Sequence, residues 1–136
     1  MKFRFETQAR ELGLHYLYSC EISRQPSMFL EEHFRGFCQY FESDDKVVER
    51  ARVLVKEVFA RQQEIRDKIS AVSENWPIQR IALVDRIVIE LSFSEWKLGL
   101  TPRKVVLNEA VELAKVYGGQ NSARFVNGLI DKVLQD

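Results

Sequence analysis

The sequence predicts an all-α fold, a compact bundle of about six or seven helices that forms one domain over residues 1–136. Apolar residues recur at helical spacing through nearly the whole chain, and the six glycines and three prolines leave long segments uninterrupted. The composition, 46% hydrophobic and 29% charged, is that of a globular protein rather than a disordered or fibrous one. A chain of 136 residues is long enough to build one such domain around a shared core.

The first half of the chain carries the apolar patterns of three or four helices. Residues 9–20 form the first stripe, and residues 29–41 form a second stripe that is rich in phenylalanine. The hydroxyl and carboxylate side chains of residues 43–45 are candidate N-caps for a third helix. The rhythm continues over residues 47–72 with a break near residues 61–63, and one long helix or two short ones fit this segment equally well.

A central helix is predicted in the middle of the chain. Pro77 suits the first turn of a helix, because its missing N–H would be unpaired there in any case. Residues 78–91 are apolar on most sides, which is typical of a helix surrounded by others. Residues 87–94 alternate nearly as a strand would, but a lone strand leaves its backbone groups without partners. The helix is therefore the favoured prediction.

Two more helices complete the predicted bundle. Residues 101–102 supply a threonine N-cap and a first-turn proline to a helix whose stripe covers residues 106–117. The glycine pair at residues 118–119 ends this helix. Asn121 or Ser122 then caps a last amphipathic helix.

Three residues inside these last two helices need a separate explanation. Asn108 and Asn127 lie in helix interiors, where asparagine is mildly unfavourable, so we expect each to bond across a helix contact. Gly128 would let such a contact come close. We interpret all three as packing features and not as binding residues.

The charge balance argues against a protein that attracts polyanions through a general field. Twenty basic residues match twenty acidic ones, and the segments 1–68 and 69–136 are each neutral. A polyanion would therefore need a local basic patch, together with help from a second protein.

Several classes of function find no support in the sequence. Cys20 and Cys38 lack a C-x-x-C pair or a histidine at ligand spacing, so we expect reduced, mostly buried thiols and no metal site. His15 and His33 lie in no catalytic pattern, so we predict neither an enzyme nor a bound cofactor. No apolar run approaches the roughly 20 residues of a membrane span. The first residues lack a secretory apolar segment, which predicts a cytoplasmic protein.

The C-terminal region carries the most specific pattern in the chain. Residues 101–119 read TPRKVVLNEAVELAKVYGG, and residues 121–132 read NSARFVNGLIDK. This region resembles the signature of the NusB family of transcription antitermination factors, T-P-x-x-V-x-x-N-E-A-V-E-L-A-K-x-Y-G-G followed by S-x-x-F-V-N-G-x-x-D-K. Residues 9–11 and 17–18 are similar to the family's A-R-E and L-Y elements, and residues 84–86 to a triplet of its central helix. The resemblance therefore spans the chain.

This resemblance implies two perpendicular helical subbundles, here over residues 1–74 and 75–136. It also implies binding of the boxA element of ribosomal RNA transcripts together with NusE, a ribosomal protein, within a transcribing RNA polymerase complex. From the family's central-helix elements we assign partner binding to Asp85, Arg86 and Glu95. Self-association through exposed apolar residues is an alternative for the free chain.

RNA binding is expected at the start of the first and last helices. Single-stranded RNA is held by cations along its backbone and by aromatic or amide side chains that stack on or pair with bases. Free N–H groups at a helix start also favour a phosphate. The expected RNA-binding residues are Lys2, Arg4, Gln8, Arg10, Tyr18, Asn121, Ser122, Arg124 and Phe125. Structural roles are the alternatives, since Phe125 lies on an apolar stripe and Asn121 and Ser122 can act as caps.

Departures from the family pattern affect these expectations. Residues 6–8 are Glu-Thr-Gln where the family usually has arginines, which weakens the cationic arm. Neutral Asn121 replaces a common acidic residue, which removes a charge that would repel phosphate. Glu90 stands where a basic residue is usual in the central helix. The alternative function is therefore a protein-only helical adaptor that binds NusE with little affinity for RNA.

Overall fold

The structure of the chain is a computed structural model that describes residues 4–73 and 77–136. Within these ranges it contains seven α-helices, one short 3-10 helix and no β-strand, which confirms the all-α prediction. The chain divides into two compact units, Met1–Ala60 and Arg61–Asp136. The boundary expected at residues 74–75 falls outside the described residues and stays a prediction. Across the described part of the chain, no helix combines the length and apolar character of a membrane span.

Three helices form the first unit. They are α1 (Phe5–Ser23), α2 (Glu31–Cys38) and α3 (Asp45–Ala60), and α1 packs along α3 and contacts α2. Helix α1 ends where Arg24 adopts a left-handed conformation with φ 58° and donates its amide hydrogen to carbonyls of the last turn. Helix α3 begins at Asp45, within residues 43–45, which the sequence analysis gives as candidate N-caps.

A buried tyrosine of α1 organises the phenylalanine-rich stripe of α2. The ring of Tyr16 meets the rings of Phe34 and Phe37 edge to face, with centroid distances of 5.0 and 5.2 Å. The Tyr16 hydroxyl lies 2.7 Å from Nδ1 of His33, within hydrogen-bond distance. These contacts explain why the second stripe needs aromatic side chains.

The two cysteines of the first unit are free and buried, as the sequence predicts. Burial raises the pKa of both the Cys20 and the Cys38 thiol above its ordinary value. Because the thiolate is the reactive form, both thiols are protonated and inert at neutral pH. Among the described residues, no three His, Cys, Asp or Glu side chains gather as a metal site.

Four α-helices form the second unit. They are α4 (Gln62–Val72), α5 (Leu83–Lys97), α6 (Arg103–Tyr117) and α7 (Ser122–Val133). Helix α5 contacts α4, α6 and α7, and α6 and α7 lie side by side as consecutive helices. The segment that admitted one long helix or two short ones therefore forms two, α3 and α4, with the break at Arg61.

The start of the central helix differs from the prediction. Residues Ile78–Arg80 form a 3-10 helix, Ile81 is extended, and α5 begins only at Leu83. The short turn brings the Ile81 side chain into the interior, where it is buried. A continuous α-helix from Pro77 is therefore wrong, whereas the choice of helix over strand for residues 87–94 is confirmed.

Side-chain hydrogen bonds hold both ends of helix α7 in place. At its C-terminal end, Arg103 donates to the carbonyl oxygens of Leu134 and Asp131 at 2.7 and 2.9 Å, and to the Asp131 carboxylate at 2.9 Å. A cation at this end also complements the helix dipole. At the N-terminal end, the Gly119 amide donates to Oγ of Ser122 at 2.8 Å. The hydrogen bonds at the two ends of α7 hold the helix in place on the second unit and so determine which of its faces is exposed.

Candidate nucleic-acid interface

The RNA-binding residues predicted near the N-terminus all fall in the first unit. Lys2 lies outside the described residues. Arg4 directly precedes α1 and is exposed, and Gln8 is exposed one turn later. Tyr18 is 42% exposed, which is enough for a base to stack on part of its ring. Of the residues predicted to bind RNA, the first unit thus exposes one cation, one amide and one aromatic ring in its described part.

Arg10 is placed differently from the other candidates. Its side chain is only 7% exposed and has an interaction partner within the fold. A guanidinium held in this way has little surface to offer a phosphate. Arg10 therefore has a structural role in the fold, and its contact with RNA stays a prediction.

Replacing Arg10 by alanine is expected to lower the free energy of unfolding by about 1–2 kcal/mol, because a buried side chain and its polar interaction are both lost. Chemical denaturation monitored by circular dichroism measures the change. Arg4→Ala is the matched control, since its exposed side chain should leave stability within about 0.5 kcal/mol of wild type. Equal stability of both variants would restore a purely surface role for Arg10.

The second group of predicted residues gathers at the start of α7 in the second unit. Asn121 and Arg124 are exposed, Phe125 is half-buried, and Ser122 is buried. The Arg124 guanidinium has no ion-pair partner among the described residues. The first turn of α7 therefore offers an available cation, an amide and part of an aromatic ring, together with the N–H groups of the helix start.

The predicted caps of the last two helices are not formed as expected. Asn121 occupies the N-cap position of α7 but makes no side-chain hydrogen bond to the helix. Pro102, rather than Thr101, occupies the N-cap position of α6. Ser122 instead accepts the Gly119 amide, which fixes the turn before the helix. The Asn121 amide is thereby left to face solvent, and Ser122 acts inside the fold.

The three residues predicted to bind a protein partner all lie on α5. Asp85 and Glu95 are 5% and 2% exposed, so neither carboxylate is available on a free surface. Arg86 is largely buried and lies 3.1 Å from Glu90, one turn along the same helix. Glu95 lies in the stretch from Ile87 to Glu95 in which every residue of α5 is buried. The structure gives these three side chains little free surface, and their assignment to a protein partner stays a prediction.

The structure does not place the three predicted packing residues, Asn108, Asn127 and Gly128, at helix contacts. All three are exposed, and neither asparagine side chain forms a hydrogen bond within the described residues. A Cβ atom added at Gly128 would meet nothing within 4 Å. The packing interpretation is therefore wrong. A signal for this was present in the sequence, since Gly128 lies opposite the stripe of Val126, Ile130 and Val133 on a helical wheel, and Asn127 lies beside that stripe.

The fold and these surfaces define a small all-α binding protein, and comparisons with known proteins identify its family. The model of the NusB family matches residues 7–135. The transcription antitermination protein NusB of Bdellovibrio bacteriovorus is 36% identical over 98% of this chain and 97% of its own length. The chain belongs to the NusB family.

Solved structures agree with this assignment. A NusB structure from T. maritima is 29% identical and covers 98% of this chain and 92% of that chain, with a TM-score of 0.83. A crystal structure of antitermination factors NusB and NusE in complex with double-stranded RNA has a TM-score of 0.82 at 21% identity, and each chain is covered to 98%. The second likeness bears on the fold alone.

Proposed function

We propose that this chain is an RNA-binding transcription antitermination factor and not an enzyme. It binds boxA-type RNA together with NusE in the cytoplasm and modifies RNA polymerase elongation on ribosomal RNA operons. The observation that carries the proposal is a full-length relationship to proteins named for transcription antitermination. The solved complex of NusB and NusE with RNA supports NusE and RNA as the partners to test.

The first turn of α7 supplies the chemistry that this function needs. Arg124 presents a cation without an ion-pair partner among the described residues, beside the N–H groups of the helix start, and both attract a phosphate. The Asn121 amide can pair with a base edge, and the exposed part of Phe125 can stack on a base. In the first unit, Arg4, Gln8 and Tyr18 offer the same three kinds of contact.

A salt titration of RNA binding tests the proposal. The affinity of the full chain for a boxA oligonucleotide and for a scrambled one is measured with and without purified NusE, as single strands and as duplexes. Preference for boxA in the presence of NusE supports the proposal. If boxA is bound no more tightly than the scrambled sequence while NusE still binds, the chain is a protein-only adaptor.

Arg124→Ala is expected to weaken boxA binding by about fourfold at roughly 0.15 M salt and to reduce the salt slope by about 0.7, because one phosphate contact to a single strand is lost. The melting temperature should change little, since the side chain is exposed. Fluorescence anisotropy at several salt concentrations gives both quantities. Lys56→Ala, an exposed cation of α3, is the control that should bind as wild type does.

A further inference from the structure

A glycine lies at the centre of the exposed face of α7, and no contact within the fold requires a glycine there. Gly128 has helical neighbours on both sides, is exposed, and has open space around the position of a Cβ atom. Glycine in a helix interior costs stability relative to alanine, and nothing in the second unit needs its small size. The absence of a side chain at this point matters only to a molecule that comes close from outside.

Two cations flank this glycine on the same face of the helix. Arg124 lies one turn before Gly128 and Lys132 one turn after it, at i, i+4 and i+8, which are neighbouring positions on one side of a helix. Both are exposed, and neither has an ion-pair partner among the described residues. Helix rise separates the two positions by about 12 Å along the axis.

The remaining polar groups of this face fit an anionic ligand. Asp131 is the one acidic residue in the sequence of α7, and its carboxylate is bound by Arg103 at 2.9 Å. Its charge is therefore compensated and does not repel an incoming phosphate strongly. Asn127 is exposed beside the glycine, with an amide that can both donate and accept hydrogen bonds.

We propose that the sugar–phosphate backbone of single-stranded RNA crosses α7 at Gly128, with one phosphate held by Arg124 and another by Lys132. Asn127 contacts the sugar or a base edge at the crossing. The face formed by Arg124, Asn127, Gly128 and Lys132 thus continues the path that begins at the first turn of α7. This inference rests on the proposed function, since it assumes that the chain binds RNA at that turn.

The charges favour RNA over a protein backbone as the molecule that approaches Gly128. A protein strand carries no net backbone charge, so it would pair with Arg124 and Lys132 only where its sequence places acidic side chains at both points. A phosphate backbone neutralises both cations whatever its base sequence, and the binding releases counterions condensed on the RNA. The small size of Gly128 then allows the phosphates on either side to reach both side chains together.

Gly128→Ala and Gly128→Leu test the crossing directly. Both should raise the melting temperature or leave it unchanged, since each replaces an exposed helical glycine by a better helix former. Affinity for a single-stranded boxA oligonucleotide in the presence of NusE should fall, slightly for alanine and about tenfold for leucine. Gly36→Leu is the matched control, because Gly36 lies in α2 and also has open space around its Cβ position. It should bind RNA as wild type does.

Lys132→Gln provides a second test that does not depend on added bulk. It should weaken binding about fourfold at roughly 0.15 M salt and lower the salt slope by about 0.7, whereas Lys56→Gln should do neither. If wild type and Arg124→Ala behave as proposed but the variants at 128 and 132 bind normally, the crossing is wrong and the proposed function stands. Loss of NusE binding in Gly128→Leu, with RNA binding intact, would assign this face to protein. A wild-type chain without preference for boxA overturns both proposals.

Discussion

Replacing Glu90 by alanine is expected to lower the free energy of unfolding by about 3 kcal/mol, because it removes the carboxylate from a buried ion pair. Glu90 is 2% exposed, and its Oε2 atom lies 3.1 Å from Nη1 of Arg86 and 3.7 Å from Nε of Arg66. Breaking a buried pair from one side costs about 3–5 kcal/mol. We expect the lower end, because the Arg66 side chain is 37% exposed and water compensates part of its loss.

Two further variants make the Glu90 result interpretable. Glu90→Gln keeps the size of the side chain and one acceptor, so it should destabilise less than alanine does. Glu64→Ala breaks an exposed pair with Arg61 at 2.9 Å and should cost less than about 1 kcal/mol. Urea denaturation of the three variants gives the comparison. If Glu90→Ala costs no more than Glu64→Ala, the carboxylate has no structural role in the second unit.

This role of Glu90 also explains a departure from the family pattern. The sequence has an acidic residue at position 90, where the family's central helix usually has a basic one. The structure places Glu90 inside the second unit, between a residue of the same helix and a residue of α4. The spacing of Arg86 and Glu90, i and i+4, was visible in the sequence as a helical ion pair. The burial that gives the pair its energetic weight was not.

The fold could be predicted because the apolar period runs through every helix. The stripe of α5 continues on most sides of the helix, and this excess of apolar residues indicated a surrounded helix before any contact was known. The start of α5 could not be predicted, because Pro77 is compatible with both a first helical turn and an extended segment. Burial of Ile81 decides between these conformations, and burial depends on tertiary contacts.

The candidate site could be predicted less well, for a related reason. A charged residue beside an apolar stripe faces solvent or the interior according to what packs against it, so Arg10 and Glu95 gave no sign of their burial. Arg124 and Asn121 are exposed, which makes them available as expected. Gly128 was interpreted through a general rule for close helix packing, although its position on the helical wheel indicated the solvent side.

Gly118→Ala is expected to lower the free energy of unfolding by about 2–3 kcal/mol, because no space exists for a Cβ atom at this position. Such an atom would lie 2.4 Å from Cβ and Oγ of Ser122 and 2.7 Å from the carbonyl oxygen of Ala114. The backbone of α6 and the start of α7 must separate to admit it, at a cost typical of overpacking. Gly119→Ala is the control at the next residue, where a Cβ atom meets nothing within 4 Å.

A double-mutant cycle shows whether Ser122 is the cause. In a Ser122→Gly background, the two contacts with the serine side chain disappear, so the added cost of Gly118→Ala should fall by about 1–2 kcal/mol. Additive costs would place the strain at Ala114 instead. Because the same turn positions Asn121 and Arg124, Gly118→Ala should also weaken boxA binding at temperatures where the variant is still folded. Gly118 would then serve RNA binding through the placement of α7, without touching the RNA itself.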